Sequence, residues 1–208
     1  MQWTRILPVV GMFFCLSFCT SGPPNTRSVS TENDFGERES YFVHRETGER
    51  EGQYTRYNAA GTLLEEAIYY NGQYHGQRIL YYANGDTQTV ETYQHGQFIG
   101  PWRTYYPNGN LELAGQYQNN RMEGIWKGYY ETGELFEVVT FKDNQENGPF
   151  TEYYKDGTVQ VKGTYRDGDH EHGALFFYDA DGQLTKKMNC DMGLCRTEWS
   201  RATGDPMK

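Results

Sequence analysis

The stretch GPWRTYYPNGNLELAGQYQNNRME (100–123) is followed directly by GIWKGYYETGELFEVVTFKDNQEN (124–147), and the two segments share one pattern. Six such units begin at glycines separated by steps of 24, 24, 24, 24 and 25 residues. These glycines are Gly52, Gly76, Gly100, Gly124, Gly148 and Gly173. A fixed period of this length is typical of an architecture of stacked repeats. The sequence therefore predicts the shape of the protein more directly than its function.

Within a unit the pattern reads strand, turn, strand, turn. In the third unit, Asn108-Gly109 separates a first segment with Trp102 and Tyr106 on one face from a second segment with Leu111 and Tyr117 on one face. Residues at even spacing share a face of a strand, and Asn-Gly between apolar segments is a strong hairpin signal. A single hairpin is marginal in water, so each unit needs its neighbours to cover its rings. The prediction is an all-β fold, an elongated single-layer antiparallel sheet of stacked β-hairpins.

The unit resembles the MORN repeat (membrane occupation and recognition nexus), and most closely its bacterial variant, G-x-W-x-x-Y-Y-x-x-G-x-L with a downstream Tyr. The resemblance covers residues 52–195 as six repeats. Some units depart from the pattern. Arg78 replaces the Trp-like residue, Asn58 and Asp179 replace the second Tyr, and Cys190 replaces the downstream aromatic residue. Changes in the first and last units are expected of capping repeats. The resemblance implies the fold, whereas proteins with this repeat include scaffolds, lipid-associated proteins and bacterial antitoxins.

The regions before and after the repeats predict export and a membrane anchor. Residues 1–18 carry one Arg and an apolar segment, as in a secretory signal peptide. Leu16-Ser17-Phe18-Cys19 resembles a bacterial lipobox, which implies lipidation of Cys19 and an outer-membrane or periplasmic lipoprotein; simple cleavage, an uncleaved anchor or a different start are the alternatives. Residues 19–40 are interpreted as a flexible tether and 41–51 as an N-terminal cap. Residues 196–208 are interpreted as a C-terminal cap and tail.

Two cysteines bracket the last turn of the repeat region. Cys190 and Cys195 are five residues apart in the sequence. In an exported protein they would close a small loop as a disulfide, and in a reducing compartment they would remain free thiols. The pairing expectation therefore depends on export.

Charge restricts the class of partner. The formal net charge is −9, with 28 acidic and 19 basic residues. Nucleic acids and anionic lipid headgroups are bound through Lys and Arg patches, so neither is expected to bind this chain directly. The expected partner is another protein with basic character, and the expected membrane contact is the lipid anchor.

No constellation for catalysis is evident, and no cofactor is expected. His170 and His172, two apart in a strand, are weak candidates for a Zn²⁺ site, but no further ligand stands at a suitable spacing. Acidic residues such as Glu131, Glu134, Glu137 and Glu152 are interpreted as solvated surface. The alternative of a hydrolase or metal-dependent enzyme would rest on His170 and His172 alone.

The aromatic rows supply the candidate binding face. The Tyr residues five positions after each opening Gly lie on the strand face opposite the Trp row, so one row should be core and the other at least partly exposed. The alternative is that sheet twist lets both rows pack against neighbouring units. The candidate residues are Trp102, Tyr105, Trp126, Tyr129 and Tyr153.

These observations favour a non-catalytic interaction scaffold of the bacterial cell envelope that binds another protein. The second hypothesis is an antitoxin or immunity-type protein that neutralises a basic toxin with its acidic surface. A processed leader would disfavour a cytosolic antitoxin, whereas a full-length soluble chain would favour it.

Overall fold

The computed structural model describes residues 22–203, and it confirms the predicted all-β sheet of stacked hairpins. Its 17 strands form one open antiparallel sheet in which each hairpin pairs with the hairpins before and after it in the chain. The strands are β1 (Thr26–Glu32), β2 (Arg38–His44), β3 (Arg50–Tyr57), β4 (Leu63–Tyr70), β5 (Gln73–Tyr81), β6 (Thr87–Gln94), β7 (Gln97–Phe98), β8 (Gly100–Tyr105), β9 (Leu111–Gln118), β10 (Arg121–Tyr129), β11 (Leu135–Lys142), β12 (Gln145–Tyr153), β13 (Val159–Arg166), β14 (His170–Glu171), β15 (Gly173–Tyr178), β16 (Leu184–Asp191) and β17 (Leu194–Ser200). A short 3₁₀ turn follows at Arg201–Thr203.

The two turns of each unit have different geometries. In the first turn of the third unit, the N–H of Gly109 donates to the carbonyl of Tyr106, and Gly109 adopts a φ of 84°. Asn108 keeps a negative φ, so only the glycine needs the left-handed region. In the second turn, Asn119 and Asn120 adopt φ values of 51° and 65°. Two consecutive residues with positive φ make the tight turn that matches strand twist.

Hydrogen bonds along both edges tie each unit to the next. At the first turns, the second Tyr of one unit donates its phenol to the backbone carbonyl of the first Tyr of the following unit. The donors are Tyr82, Tyr106, Tyr130 and Tyr154, and the acceptors are Tyr105, Tyr129, Tyr153 and Tyr178, at 2.7, 2.8, 2.9 and 3.0 Å. At the second turns a backbone N–H donates to a carbonyl of the preceding unit, as Gly96 does to Tyr74. These repeated bonds fix the stacking of the hairpins.

One face of the sheet carries the core, and we call it the aromatic face. Its most buried rings are Tyr54, Tyr69, Tyr93, Trp126 and Phe150. Rings contact each other across unit boundaries, as in the stacked pair Phe98–Tyr117, with centroids 5.0 Å apart. The Trp126 ring lies over Gly115, where an added Cβ would overlap it. A single sheet layer can therefore bury its own face, because rings lie flat over bare backbone.

The predicted flexible tether is not a linker within the described residues, because Thr26–Glu32 form a strand that makes a hairpin with β2, which includes part of the predicted N-terminal cap. β1 pairs with β2, and β2 pairs with β3, so the sheet begins at Thr26 and not at the first repeat. The Ser- and Thr-rich composition suggested a linker, but β-branched and aromatic residues also suit a strand. The side chain of Asn33 accepts hydrogen bonds from the backbone N–H groups of Phe35 and Glu37 and closes the turn. This hairpin covers the edge of the first repeat.

The predicted signal peptide and Cys19 lie outside the described residues, as do residues 204–208. Within residues 22–203, no helix has the length and apolar character needed to cross a membrane. The beginning of the predicted C-terminal cap continues the sheet as β17, which pairs with β16. Asp179, in the second-Tyr position of the last unit, forms an ion pair with Arg201 at 2.6 Å. A charged pair thus ends the row of interunit tyrosine hydrogen bonds.

Candidate interaction faces

The predicted aromatic candidates do not form one surface. Trp102 and Trp126 lie on the aromatic face, with ring centroids 5.6 Å apart, but Trp126 is only 3% exposed. The prediction that Trp126 belongs to a binding surface is therefore wrong, because its ring covers Gly115 in the core. Tyr105 and Tyr129 are half-buried, and strand alternation places them on the other side of the sheet.

Tyr153, the remaining candidate, has the same position in its unit as Tyr105 and Tyr129 and is also half-buried. Its equivalents show which groups this row contacts. The phenol of Tyr81 donates to Glu66 at 2.6 Å, and the ammonium of Lys162 lies 5.5 Å from the ring centroid of Tyr178. The tyrosine row thus packs among polar and charged side chains of the face opposite the aromatic face.

A charged cluster replaces the Trp–Gly packing in the second unit. Arg78 donates to Glu65 Oε1 at 2.7 Å and to Glu91 at 3.0 Å, and the phenol of Tyr74 donates to the same Oε1 atom of Glu65 at 3.1 Å. Arg56 contacts Glu65 at 3.4 Å. Burial alone would raise the pKa of Glu65, but the hydrogen bond and charge of Arg78, with Tyr74 and Arg56, hold that pKa below its usual value. The buried carboxylates on either side of Arg78 are thus neutralised by arginines on the same face.

The fourth and fifth units carry carboxylates on the same face without this compensation. Glu137 on β11 lies directly opposite Glu152 on β12. Burial raises the pKa of both carboxyl groups, and the charges of Glu152 and Glu146 raise that of Glu137 further. None of the ion pairs and side-chain hydrogen bonds found in residues 22–203 involves the carboxylate of Glu137, Glu146 or Glu152. Two like charges directly across a strand pair repel each other.

These positions correct the interpretation of the acidic residues as solvated surface. Glu131 and Glu134 are exposed, as expected, but Glu137 and Glu152 are half-buried. The Glu137 side chain lies over Gly128, whose missing Cβ leaves room for it. Beside these carboxylates, Phe150 and Tyr165 stack with centroids 4.1 Å apart, and the four carboxylates of Glu137, Glu146, Glu152 and Glu171 raise the pKa of Tyr165 further than burial alone. The arrangement provides aromatic surface and negative charge in one place.

The opposite face has an open groove near its N-terminal end. The groove has a volume of about 370 Å³ and crosses β3, β4 and β5. Side chains that line it include Tyr57, Glu66, Ile68, Gln77 and Ile79, of which Ile68 is 45% exposed. The lining mixes aliphatic, amide and phenol groups with a single carboxylate, that of Glu66, which accepts a hydrogen bond from Tyr81. This surface therefore does not distinguish one class of partner.

The last hairpin, β16–β17, contains the predicted cysteine pair, and the weak metal candidates lie beside it, in β14 and directly after that strand. Cys190 and Cys195 are joined by a disulfide between paired positions of β16 and β17. His170 is exposed, and its Nδ1 lies 3.2 Å from the carbonyl of Asp167. His172 Nδ1 lies 3.4 Å from a carboxylate oxygen of Asp191 without a hydrogen bond. In the part of the chain that the structure describes, no group of three or more His, Cys, Asp and Glu side chains is arranged to hold a metal ion.

Sequence reasoning noted Arg78 as a departure from the repeat but missed its consequence. An Arg in an aromatic core position predicts acidic partners on neighbouring strands, because a buried guanidinium needs charged hydrogen-bond acceptors. Strand alternation places Glu65 and Glu91 on the same face of the sheet as Arg78, so both could have been predicted as its partners. When strand alternation is applied in the same way to Glu137 and Glu152, no Lys or Arg is found on the same face of the neighbouring strands.

Comparison with protein families finds the MORN repeat variant three times in succession, at residues 99–119, 122–143 and 146–167. These matches start close to the opening glycines Gly100, Gly124 and Gly148 and include strands β8 to β13. No curated protein matches the chain. The matched segments contain the Trp102–Trp126 contact, the Glu137–Glu152 pair and the Phe150–Tyr165 stack.

Proposed function

We propose, from the three successive MORN repeat variants at residues 99–167, that this chain is a non-catalytic protein-interaction scaffold whose aromatic face binds a basic segment of another protein. The single observation that carries this proposal is the Glu137–Glu152 pair. Its carboxylates are half-buried and lie opposite each other; burial raises the pKa of both, and repulsion by Glu152 and Glu146 raises the pKa of Glu137 further. A Lys or Arg side chain placed between them would relieve that repulsion.

The neighbouring rings support the same class of partner. Phe150 and Tyr165 stack beside the carboxylates, and aromatic rings attract cations as well as aliphatic stems. In the second unit, equivalent surface is already occupied by Arg78, which lies between Glu65 and Glu91. The chain thus contains its own example of the interaction: a guanidinium on the aromatic face held by two carboxylates. The proposed partner would provide such a cation in trans.

The proposal includes a location in the bacterial cell envelope, with a lipid anchor at Cys19. Its support is the leader-like sequence of residues 1–18 and the Cys190–Cys195 disulfide, since disulfides persist in oxidising compartments. The intact mass of the native protein, measured after separation of membrane and soluble fractions, tests this part. A mass that begins at an acylated Cys19 is expected, whereas a soluble full-length chain beginning at Met1 would contradict it.

Binding of an oligolysine peptide, measured by titration calorimetry, tests the proposed face. The double variant Glu137→Gln/Glu152→Gln removes two carboxylates from the aromatic face. The matched control Glu131→Gln/Glu134→Gln removes the same charge from an exposed turn. We expect the first pair to weaken binding by about tenfold and the control to change it by less than about twofold. Equal weakening by both pairs would mean that only net charge attracts the peptide, and the proposed face would be wrong.

A further inference from the structure

A cluster of three rings lies at the second-turn edge of the sheet, on the side opposite the aromatic face. His75 on β5 and His95, in the turn after β6, have ring centroids 5.0 Å apart. Tyr70, the last residue of β4, lies 5.5 Å from His75 and 6.1 Å from His95. His95 and Tyr70 are exposed, so the cluster is accessible from solvent. The Nδ1 atom of His75 is buried and has no hydrogen-bond partner among the described residues.

Two other units show an interunit role for this position. In each, the residue before the opening Gly accepts a hydrogen bond from a backbone N–H in the next second turn. Glu51 accepts from Asn71 at 2.9 Å, and Glu123 accepts from Asp143 at 3.0 Å. His75 has the same position, 20 residues before His95, but its Nδ1 makes no such bond. The imidazole therefore does not serve the interunit role of its equivalents.

We propose that His75 and His95 chelate a divalent transition-metal ion such as Zn²⁺, Ni²⁺ or Cu²⁺. With metal–nitrogen bonds of about 2.0–2.1 Å and a tetrahedral angle, two imidazoles on one ion have centroids about 5 Å apart. The distance between the two rings matches this value without any movement of the strands. Imidazole nitrogens favour these metals over Mg²⁺ and Ca²⁺, which prefer oxygen ligands.

The site is open and exchangeable. Two protein nitrogens leave two positions of a tetrahedral ion for water or for a donor from a partner. The phenol of Tyr70 borders the site and restricts access from one side. The ion would link the hairpin of the first unit to the turn of the second, because His75 and His95 belong to consecutive second-turn segments. Metal binding is therefore expected to stabilise this part of the sheet.

Calorimetric titration of the untagged full chain with Zn²⁺ and with Ni²⁺, after alkylation of free thiols, tests the site. The variant His75→Asn/His95→Asn removes both ligands. Asn suits position 95 because His95 has a φ of 49°, and Asn occupies the equivalent turn positions 71 and 119 with φ values of 48° and 51°. We expect one ion to bind per wild-type chain and the double variant to lose more than about tenfold in affinity. Thermal unfolding without metal should be similar in both proteins.

The matched control is His170→Asn/His172→Asn, which also removes two histidines near a second turn but disrupts no His–His contact found in the described residues. Metal binding should survive in this variant. Loss of the ion in the His170/His172 variant and its retention in the His75/His95 variant would overturn the proposal. Absence of stoichiometric binding to the wild-type chain would also overturn it.

Discussion

The phenol of Tyr106 donates a 2.8 Å hydrogen bond to the backbone carbonyl of Tyr129, which follows it by 23 residues. The bond crosses from one repeat to the next, at the end of the sheet where the strands turn. The same bond recurs from Tyr82, Tyr130 and Tyr154. It gives the second Tyr of the Tyr-Tyr pair a defined role, because that phenol satisfies a carbonyl near a strand end. Stability in this sheet is therefore expected to depend on nearest-neighbour bonds.

Replacement of Tyr106 by Phe should lower the free energy of unfolding by about 1 kcal/mol, since one partly buried hydrogen bond is lost and a carbonyl loses the phenol that bonds it. Denaturant titration measures this change. Tyr117→Phe is the control, because the Tyr117 phenol makes no hydrogen bond to any residue of 22–203 and Phe141 has the equivalent position. If both variants lost the same stability, the interunit bond would not be the cause.

Replacement of Gly115 by Ala should destabilise the protein by roughly 1–3 kcal/mol, because the new methyl group overlaps the Trp126 ring. The same substitution in a Trp126→Leu background should cost less, since the smaller side chain leaves space over position 115. The coupling is measured by a double-mutant cycle of unfolding free energies. Additive effects would show that Trp126 does not lie over Gly115.

Replacement of Glu65 by Gln should destabilise the protein by roughly 2 kcal/mol near neutral pH, because Arg78 and Arg56 lose a buried counter-charge while Arg78 keeps Glu91. The folded pKa of Glu65 is lowered below its ordinary 4.5. Its contribution is therefore present above that value and is lost as pH falls through the folded pKa. Unfolding measured across acidic pH should show the variant and wild type converging at low pH. A pH-independent difference would contradict the ion-pair explanation.

The variant Glu137→Gln/Glu152→Gln should instead increase stability near neutral pH, by roughly 0.5–1 kcal/mol after allowance for solvent screening. The folded pKa values of both carboxyl groups lie above their ordinary 4.5. Wild type consequently loses stability as pH rises from that value through the folded pKa values, and the variant avoids this loss. The gain should disappear at pH values below 4.5, where both carboxyl groups are protonated. Thermal unfolding of wild type and variant at neutral pH and below pH 4.5 measures this gain. A variant less stable than wild type at neutral pH would contradict repulsion between the two carboxylates.

Much of the fold can be predicted from local sequence patterns. The spacing of Gly109, Tyr105 and Trp102 predicts hairpins, and the 24-residue step predicts that they stack. The first hairpin was missed because the segment from Thr26 to Glu39 carries no copy of the repeat, and its polar composition resembles a linker. Its pairing depends on the edge of β3, which is a tertiary contact that composition does not report.

The candidate site was less predictable, because it depends on which face each side chain occupies and how far it is covered. Trp126 and Trp102 have identical positions in the repeat, yet only Trp126 is buried. Periodicity predicts that both rings lie on the same face of the sheet. It does not predict that the Trp126 ring lies over Gly115 or that neighbouring rings cover it. Glu137 looked like surface because glutamate usually is surface, and only the register with Glu152 brings the two carboxylates together.

The most direct test of the proposed interaction face is backbone amide NMR of the ¹⁵N-labelled chain during titration with the oligolysine peptide. If the peptide binds at the uncompensated carboxylates, the largest chemical-shift changes will fall in β11, β12 and β13, around Glu137, Glu152 and Tyr165. The second unit, where Arg78 already neutralises Glu65 and Glu91, should change little. Changes that are largest in β4 to β6, or that spread evenly over all acidic turns, would contradict the assignment of the aromatic face as the binding site for a basic segment.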